Sequence, residues 1–135
     1  MKIRSGFVSN SSSSSFCVHG TSIKADEIMD LINAVDKSFE GISEVTELVA
    51  ECRKAYEDGS MFETEYLDRL LGKVFAKTEI SHIISWECET VCIGRGYKTL
   101  KDDETGAQFK KSAEDEIKKY LPYTTLEFIN EEIST

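Results

Sequence analysis

The sequence predicts an α+β domain in which about four helices cover a small mixed or antiparallel sheet of about four strands. Three observations carry that prediction. Four stretches repeat apolar residues at helical spacing, the segment 80–88 alternates with a period of two, and short β-rich apolar runs stand near both ends. A chain of 135 residues has the size of one domain, able to bury roughly two thirds of the surface that its unfolded form exposes. The expected unit is therefore a single globular domain over 1–135, with 1–15 set apart as a serine-rich leader or loop.

A first strand is expected over 15–19, where Phe16, Cys17 and Val18 precede Gly20 as terminator. The period then changes. Ile28, Ile32, Val35 and Phe39 recur at helical spacing, Asp26 and Glu27 stand where the macrodipole favours acids, and the helix running from Ser22 closes at Gly41. A second helix is expected from an N-cap at Ser43 to Gly59. It sets Val45, Leu48, Val49, Cys52 and Tyr56 against Glu44, Glu47, Glu51 and Lys54 on the opposite face. A third, over 62–77, presents Leu67, Leu70, Leu71, Val74 and Phe75 as one stripe.

These stripes need a sheet to cover. In 80–88, Ile80, His82, Ile84, Trp86 and Cys88 alternate with Ser81, Ile83, Ser85 and Glu87, and 91–95 reads as the hairpin partner across a turn near Glu89 and Thr90. A fourth helix is expected from Asp102, with Asp102, Asp103 and Glu104 near its start, Phe109, Ala113, Ile117, Tyr120 and Leu121 inward, and Pro122 as stop. The last strand is expected over 124–129, with Leu126 and Phe128 on one face.

Composition narrows the function. With 40% hydrophobic and 30% charged residues the chain is that of a folded protein, and its net charge of -9 repels phosphate backbones and anionic membranes. Direct nucleic-acid binding and membrane association are not expected. The charge is unevenly spread: residues 1–25 carry Lys2, Arg4 and Lys24 without an acid, while the remainder holds 13 basic and 25 acidic residues, a balance of -12. No secretory h-region and no apolar run of membrane-spanning length stands in the sequence, so the expected compartment is the cytoplasm, with Cys17, Cys52, Cys88 and Cys92 as thiols.

Candidate chemistry is sparse. Cys88, Cys92, His19 and His82 are atom types that zinc accepts, but Cys88-x-x-x-Cys92 spans a hairpin turn and neither histidine has a second ligand near it. Cys17 and His19 share a strand face, yet two residues make no triad. No Gly-x-Ser-x-Gly elbow surrounds the serines. No catalytic residue, metal or cofactor is therefore expected. Gly94-Arg95-Gly96 offers backbone amides and a guanidinium to an anion, although Asp102, Asp103 and Glu104 occupy the same neighbourhood. The candidate ligand-binding or partner-binding residues are Ser11, Ser12, Ser13, Ser14 and Ser15 of the leader, with Arg95, Asp102, Asp103 and Glu104. Trp86 reads as core.

Two stretches resemble a known group. Gly6-Phe7-Val8-Ser9-Asn10-Ser11-Ser12-Ser13-Ser14-Ser15-Phe16 resembles the N-terminal signature of small proteins of tailed bacteriophages and bacteria. Ile93-Gly94-Arg95 followed by Asp102-Asp103-Glu104-Thr105-Gly106-Ala107-Gln108-Phe109-Lys110 is similar to a second signature of the same group. The resemblance implies an accessory protein of unassigned function, acting in the host cytoplasm if phage-encoded, and carries over no catalytic residue. The leading expectation is a non-enzymatic interaction domain whose leader is read by a protein partner. A small-ligand binder or enzyme using Arg95 and Asp102 to Glu104, and an acidic mimic of DNA, are the alternatives.

Overall fold

The computed structural model describes residues 15–85 and 87–132. Among them four strands form one antiparallel sheet in the order β2-β3-β1-β4, and four α-helices complete the α+β architecture. The strands are β1 (Ser15–Lys24), β2 (Ile80–Ser85), β3 (Thr90–Gly96) and β4 (Glu127–Glu132); the helices are α1 (Ala25–Ser38), α2 (Ser43–Glu57), α3 (Tyr66–Val74) and α4 (Gly106–Lys118). The first strand is the longest and is inner, with β3 on one side and β4 on the other.

Alternation along the strands gives the sheet two different faces. Ile23, Ile80, Ile84, Val91 and Ile93 point to one side and join Leu31, Ile32, Val49, Leu67, Leu70, Leu71, Ala113 and Ile117 of the helices in a single core. Burying each of the large side chains contributes about 1.5–3 kcal/mol. The opposite face carries Phe16, Val18, Ile83, Cys92 and Ile129 as a second cluster, which contains no helical residue.

Local sequence sets the helix ends. Glu27 accepts the Lys24 amide at 3.3 Å at the start of α1, and at α4 Thr105 and Gln108 exchange hydrogen bonds of 3.1 and 2.9 Å in a capping box. Gly41 and Gly59 follow α1 and α2 with φ of 89° and 75°, the left-handed region that glycine enters without penalty. Neighbouring helices are tied by Arg53 to Asn33 and Asp36 at 2.9 and 3.2 Å, and by Lys73 to Glu44.

Several boundaries differ from the sequence expectation. Gly20 does not end the first strand; β1 runs on to Lys24, so Ser22 is a strand residue and α1 starts three residues later. The reason is that Gly20 lies opposite Gly94, where β1 and β3 approach closely, so the glycine serves a contact and not a turn. The N-cap of α2 is Ile42, with Ser43 already helical. The third helix is shorter than 62–77, because residues 61–63 form a separate 3-10 turn. Asp102, Asp103 and Glu104 precede α4, whose first turn contains no acid, because Thr105 supplies the cap. The last strand begins at Glu127, and Ile129 is the buried residue while Phe128 is 60% exposed. Cys88 lies in the exposed hairpin turn beyond β2, and Trp86 lies outside the described residues.

Candidate functional site

The helix-covered face of the sheet is apolar at one end and polar at the other. Arg95 on β3 occupies an inward position two residues beyond Ile93, flanked by His19 on β1 and Ile80 on β2, and its side chain is only 3% exposed. A guanidinium so placed must satisfy its donors internally. It does so through three elements. Nη1 and Nη2 donate to the two carboxylate oxygens of Glu104 at 2.7 and 2.9 Å, a bidentate pair. Nη2 also reaches Glu79 at 2.7 Å and the Thr99 carbonyl at 2.9 Å, while Nε donates to the Thr99 hydroxyl at 2.9 Å. That hydroxyl donates in turn to the Gly96 carbonyl at 2.7 Å. The guanidinium carbon stands 4.6 Å from the centroid of Phe109, which packs on Tyr97, itself in contact with Phe128.

Electrostatics follow from that geometry. Hydrogen bonds from Arg95 hold the Glu104 carboxyl below its usual range, and the Glu104 carboxylate in turn raises the pKa of Arg95, against a smaller opposing effect of burial. Both histidines lie on the same face and each meets a carboxylate from a helix. His82 stands 2.6 Å from Asp68 of α3, and His19 stands 3.4 Å from Glu114 of α4. Thr21 and Thr124 are joined at 2.8 Å in the same polar band. Beside it, a cleft of about 360 Å³ opens between α3 and β2, lined by Leu71, Phe75, Glu79, Ile80, His82 and Thr99. Glu79 and Thr99 connect this cleft to the Arg95 cluster.

The structure brings together two of the residues singled out from sequence, Arg95 and Glu104. Asp102 and Asp103 are exposed in the turn before α4. Ser15 is the first residue of β1, opposite Glu132; it stands four residues along the strand from His19, the partner of Arg95, a separation of about 13 Å at the strand rise. Ser11, Ser12, Ser13 and Ser14 lie outside the described residues. Glu79, Thr99 and Phe109 complete the Arg95 cluster and were not singled out from sequence. The available signal was alternation: an arginine in phase with Val91 and Ile93 faces the core and demands partners.

The cysteines and histidines are dispersed. His19 and His82 lie on the helix side, Cys92 belongs to the cluster on the other face, and among the described residues no group of three His, Cys, Asp or Glu side chains is arranged to hold a metal ion. Cys17 and His19 share a face as expected from their spacing, but His19 takes Glu114 as its partner. Burial pushes the Cys52 thiol up to about 12, which keeps it protonated and unreactive at neutral pH. No helix among the described residues is long and apolar enough to cross a membrane. Comparison with family models, curated proteins and solved structures gave no match.

Proposed function

We propose that the chain is a non-enzymatic interaction domain, a bacteriophage-related or bacterial accessory protein whose serine-rich leader engages a protein partner. The observation that supports this reading most is the position of β1. The leader continues directly into β1, whose first residues, Ser15 to Cys17, pair with β4 and which is paired on both sides from Val18 to Gly20, so the leader is joined to a strand held inside the sheet. A recognition segment gains affinity when its anchor is rigid, because less freedom is lost on binding.

The Arg95 cluster supports the same direction. Its guanidinium is committed to Glu104, Glu79 and Thr99, so an anionic ligand would have to displace a bidentate carboxylate. This weighs against the small-ligand or enzymatic alternative, even with a cleft alongside. Acidic side chains interleaved with bases, as in Lys111 with Asp115, Lys119 with Glu116 and Arg69 with Glu65, weigh against a DNA mimic, which needs an unbroken negative face.

The test is affinity capture from the native host with the full chain and with a form lacking residues 1–14. Partners recovered by the full chain are expected to disappear from the shortened one. Recovery of the same proteins by both forms would refute the leader as the recognition element.

A further inference from the structure

Two stretches of the chain break the interleaving of acids with bases. From 25 to 36 the sequence holds Asp26, Glu27, Asp30 and Asp36 with no lysine or arginine, and from 120 to 135 it holds Glu127, Glu131 and Glu132 with none. The fold brings these stretches together. Glu27 and Asp30 of α1 and the segment from Tyr120 to Thr124, which links α4 to β4, line one cleft of about 330 Å³, within the size range of ligand sites. No basic residue lines it.

The cleft is built from fixed parts. Glu27 and Asp30 stand three residues apart and so share a face of α1. The Tyr120 ring packs against Phe39 at 6.4 Å and edge-on against Phe75 at 5.8 Å, and the buried Leu121 anchors the following turn. The Thr124 amide donates to the Leu121 carbonyl at 3.2 Å, and the Thr124 hydroxyl meets that of Thr21 on β1 at 2.8 Å. Between these pinned points Tyr123 is 97% exposed, although a tyrosine ring ordinarily gains from burial. Helix formation accounts for Glu27, which stands in the first turn and accepts the Lys24 amide. It does not account for Asp30, a turn further on, which makes no hydrogen bond or ion pair among the described residues.

We propose that this cleft binds an organic cation, the guanidinium or ammonium group of an arginine or lysine side chain on a basic partner protein, with Glu27 and Asp30 as counter-ions and Tyr120 and Tyr123 as aromatic walls. Two carboxylates are too few for a metal ion, and among the described residues no group of three ligating side chains occurs. Tyrosine rings attract a cation through their faces and suit the alkyl stem that carries it. Tyr123 favours a protein side chain over a free cation: standing outside the cleft, it offers contact area to the chain that bears the charge, and tyrosine and arginine are the residues that dominate interface energies. The negative balance of the body steers such a partner towards it. The site lies apart from the leader and does not depend on the role proposed for it.

The test is a nuclear magnetic resonance titration of the full chain with a capped leucine-arginine-leucine peptide, its uncharged citrulline counterpart, and n-butylguanidinium. The arginine peptide is expected to shift the amides of 27–30 and 120–124, and the citrulline peptide to bind about tenfold more weakly or not at all. Asp30→Asn should weaken the arginine peptide about tenfold, whereas Asp103→Asn, at the other end of α4 about 20 Å away, should leave it unchanged. Both side chains are exposed, so the variants keep the fold. Absence of binding, equal binding of the citrulline peptide, or equal losses in the two variants overturns the proposal. A peptide bound about threefold or more tighter than n-butylguanidinium, with the advantage lost in Tyr123→Ser, supports a protein side chain as the occupant; equal affinities would make the occupant a free cation and overturn the partner.

Discussion

Replacing Arg95 by methionine is expected to lower the stability of the domain by about 3 kcal/mol, the lower end of the cost of removing one partner from a buried ion pair. The lower end applies because Glu79 is 42% exposed and can turn to water, whereas Glu104, at 14%, loses its cation and keeps the Lys101 amide at 3.2 Å as a donor. The Thr99 carbonyl also loses a donor. Such a change corresponds to a fall in Tm of about 10 °C for a domain of this size. Arg95→Lys should be intermediate, since an ammonium keeps the charge but cannot make the bidentate pair. Thermal or urea unfolding of the three proteins at pH 7 measures the series; equal stability of Arg95→Met and the parent would remove the cluster as a structural tie.

The same pair makes a signed prediction for pH. Glu104 is depressed below 4.5 in the folded state, so the native protein binds fewer protons than the unfolded chain in that region. Its contribution is therefore complete above pH 4.5 and is lost as the pH falls through the folded value. The difference in stability between the parent and Glu104→Gln should be largest at neutral pH and shrink in the acid range. A difference that stays constant from pH 7 to about pH 3 would exclude Arg95 as the cause of the depression.

The sequence made the elements legible because their patterns are local. The Leu67, Leu70, Leu71 and Val74 stripe and the alternation of Ile80, His82 and Ile84 each depend on neighbours a few residues away, and both appear where their periods put them. What was illegible depended on pairing across the chain. Gly20 looks like a terminator until Gly94 is known to lie opposite it. Glu79 and Thr99 have no unusual context of their own, and only the β2-β3 register and the short turn at 97–99 deliver them to Arg95. Asp102, Asp103 and Glu104 part company for a similar reason: Thr105 caps α4, and Glu104 folds back onto Arg95 while its two neighbours stay in water.

The tightest point in the sheet yields the second large expected effect. A Cβ added to Gly20 would stand 1.9 Å from the Ile93 carbonyl oxygen and 2.6 Å from the Gly94 Cα. One added to Gly94 would stand 2.6 Å from the His19 carbonyl oxygen and 2.7 Å from a methyl of Val18. These are mainly backbone contacts, so no rotamer change relieves them, and β1 and β3 must separate. Overpacking that side chains can absorb costs about 1–3 kcal/mol; displacing two paired strands should reach or exceed the top of that range. Gly72→Ala supplies the contrast, because its Cβ would meet nothing within 4 Å on an exposed turn of α3, and the change should stabilise by about 0.5–1 kcal/mol through helix propensity. Urea midpoints should therefore move in opposite directions, with hydrogen exchange in Gly20→Ala accelerated first along 18–24 and 90–96, the paired segments. A loss under about 1 kcal/mol in Gly20→Ala would mean that the strands spread easily. Because β1 carries the leader, loosening it at Gly20 should also weaken partner capture even with residues 1–14 intact, tying the function proposed for the leader to the close approach of two glycines.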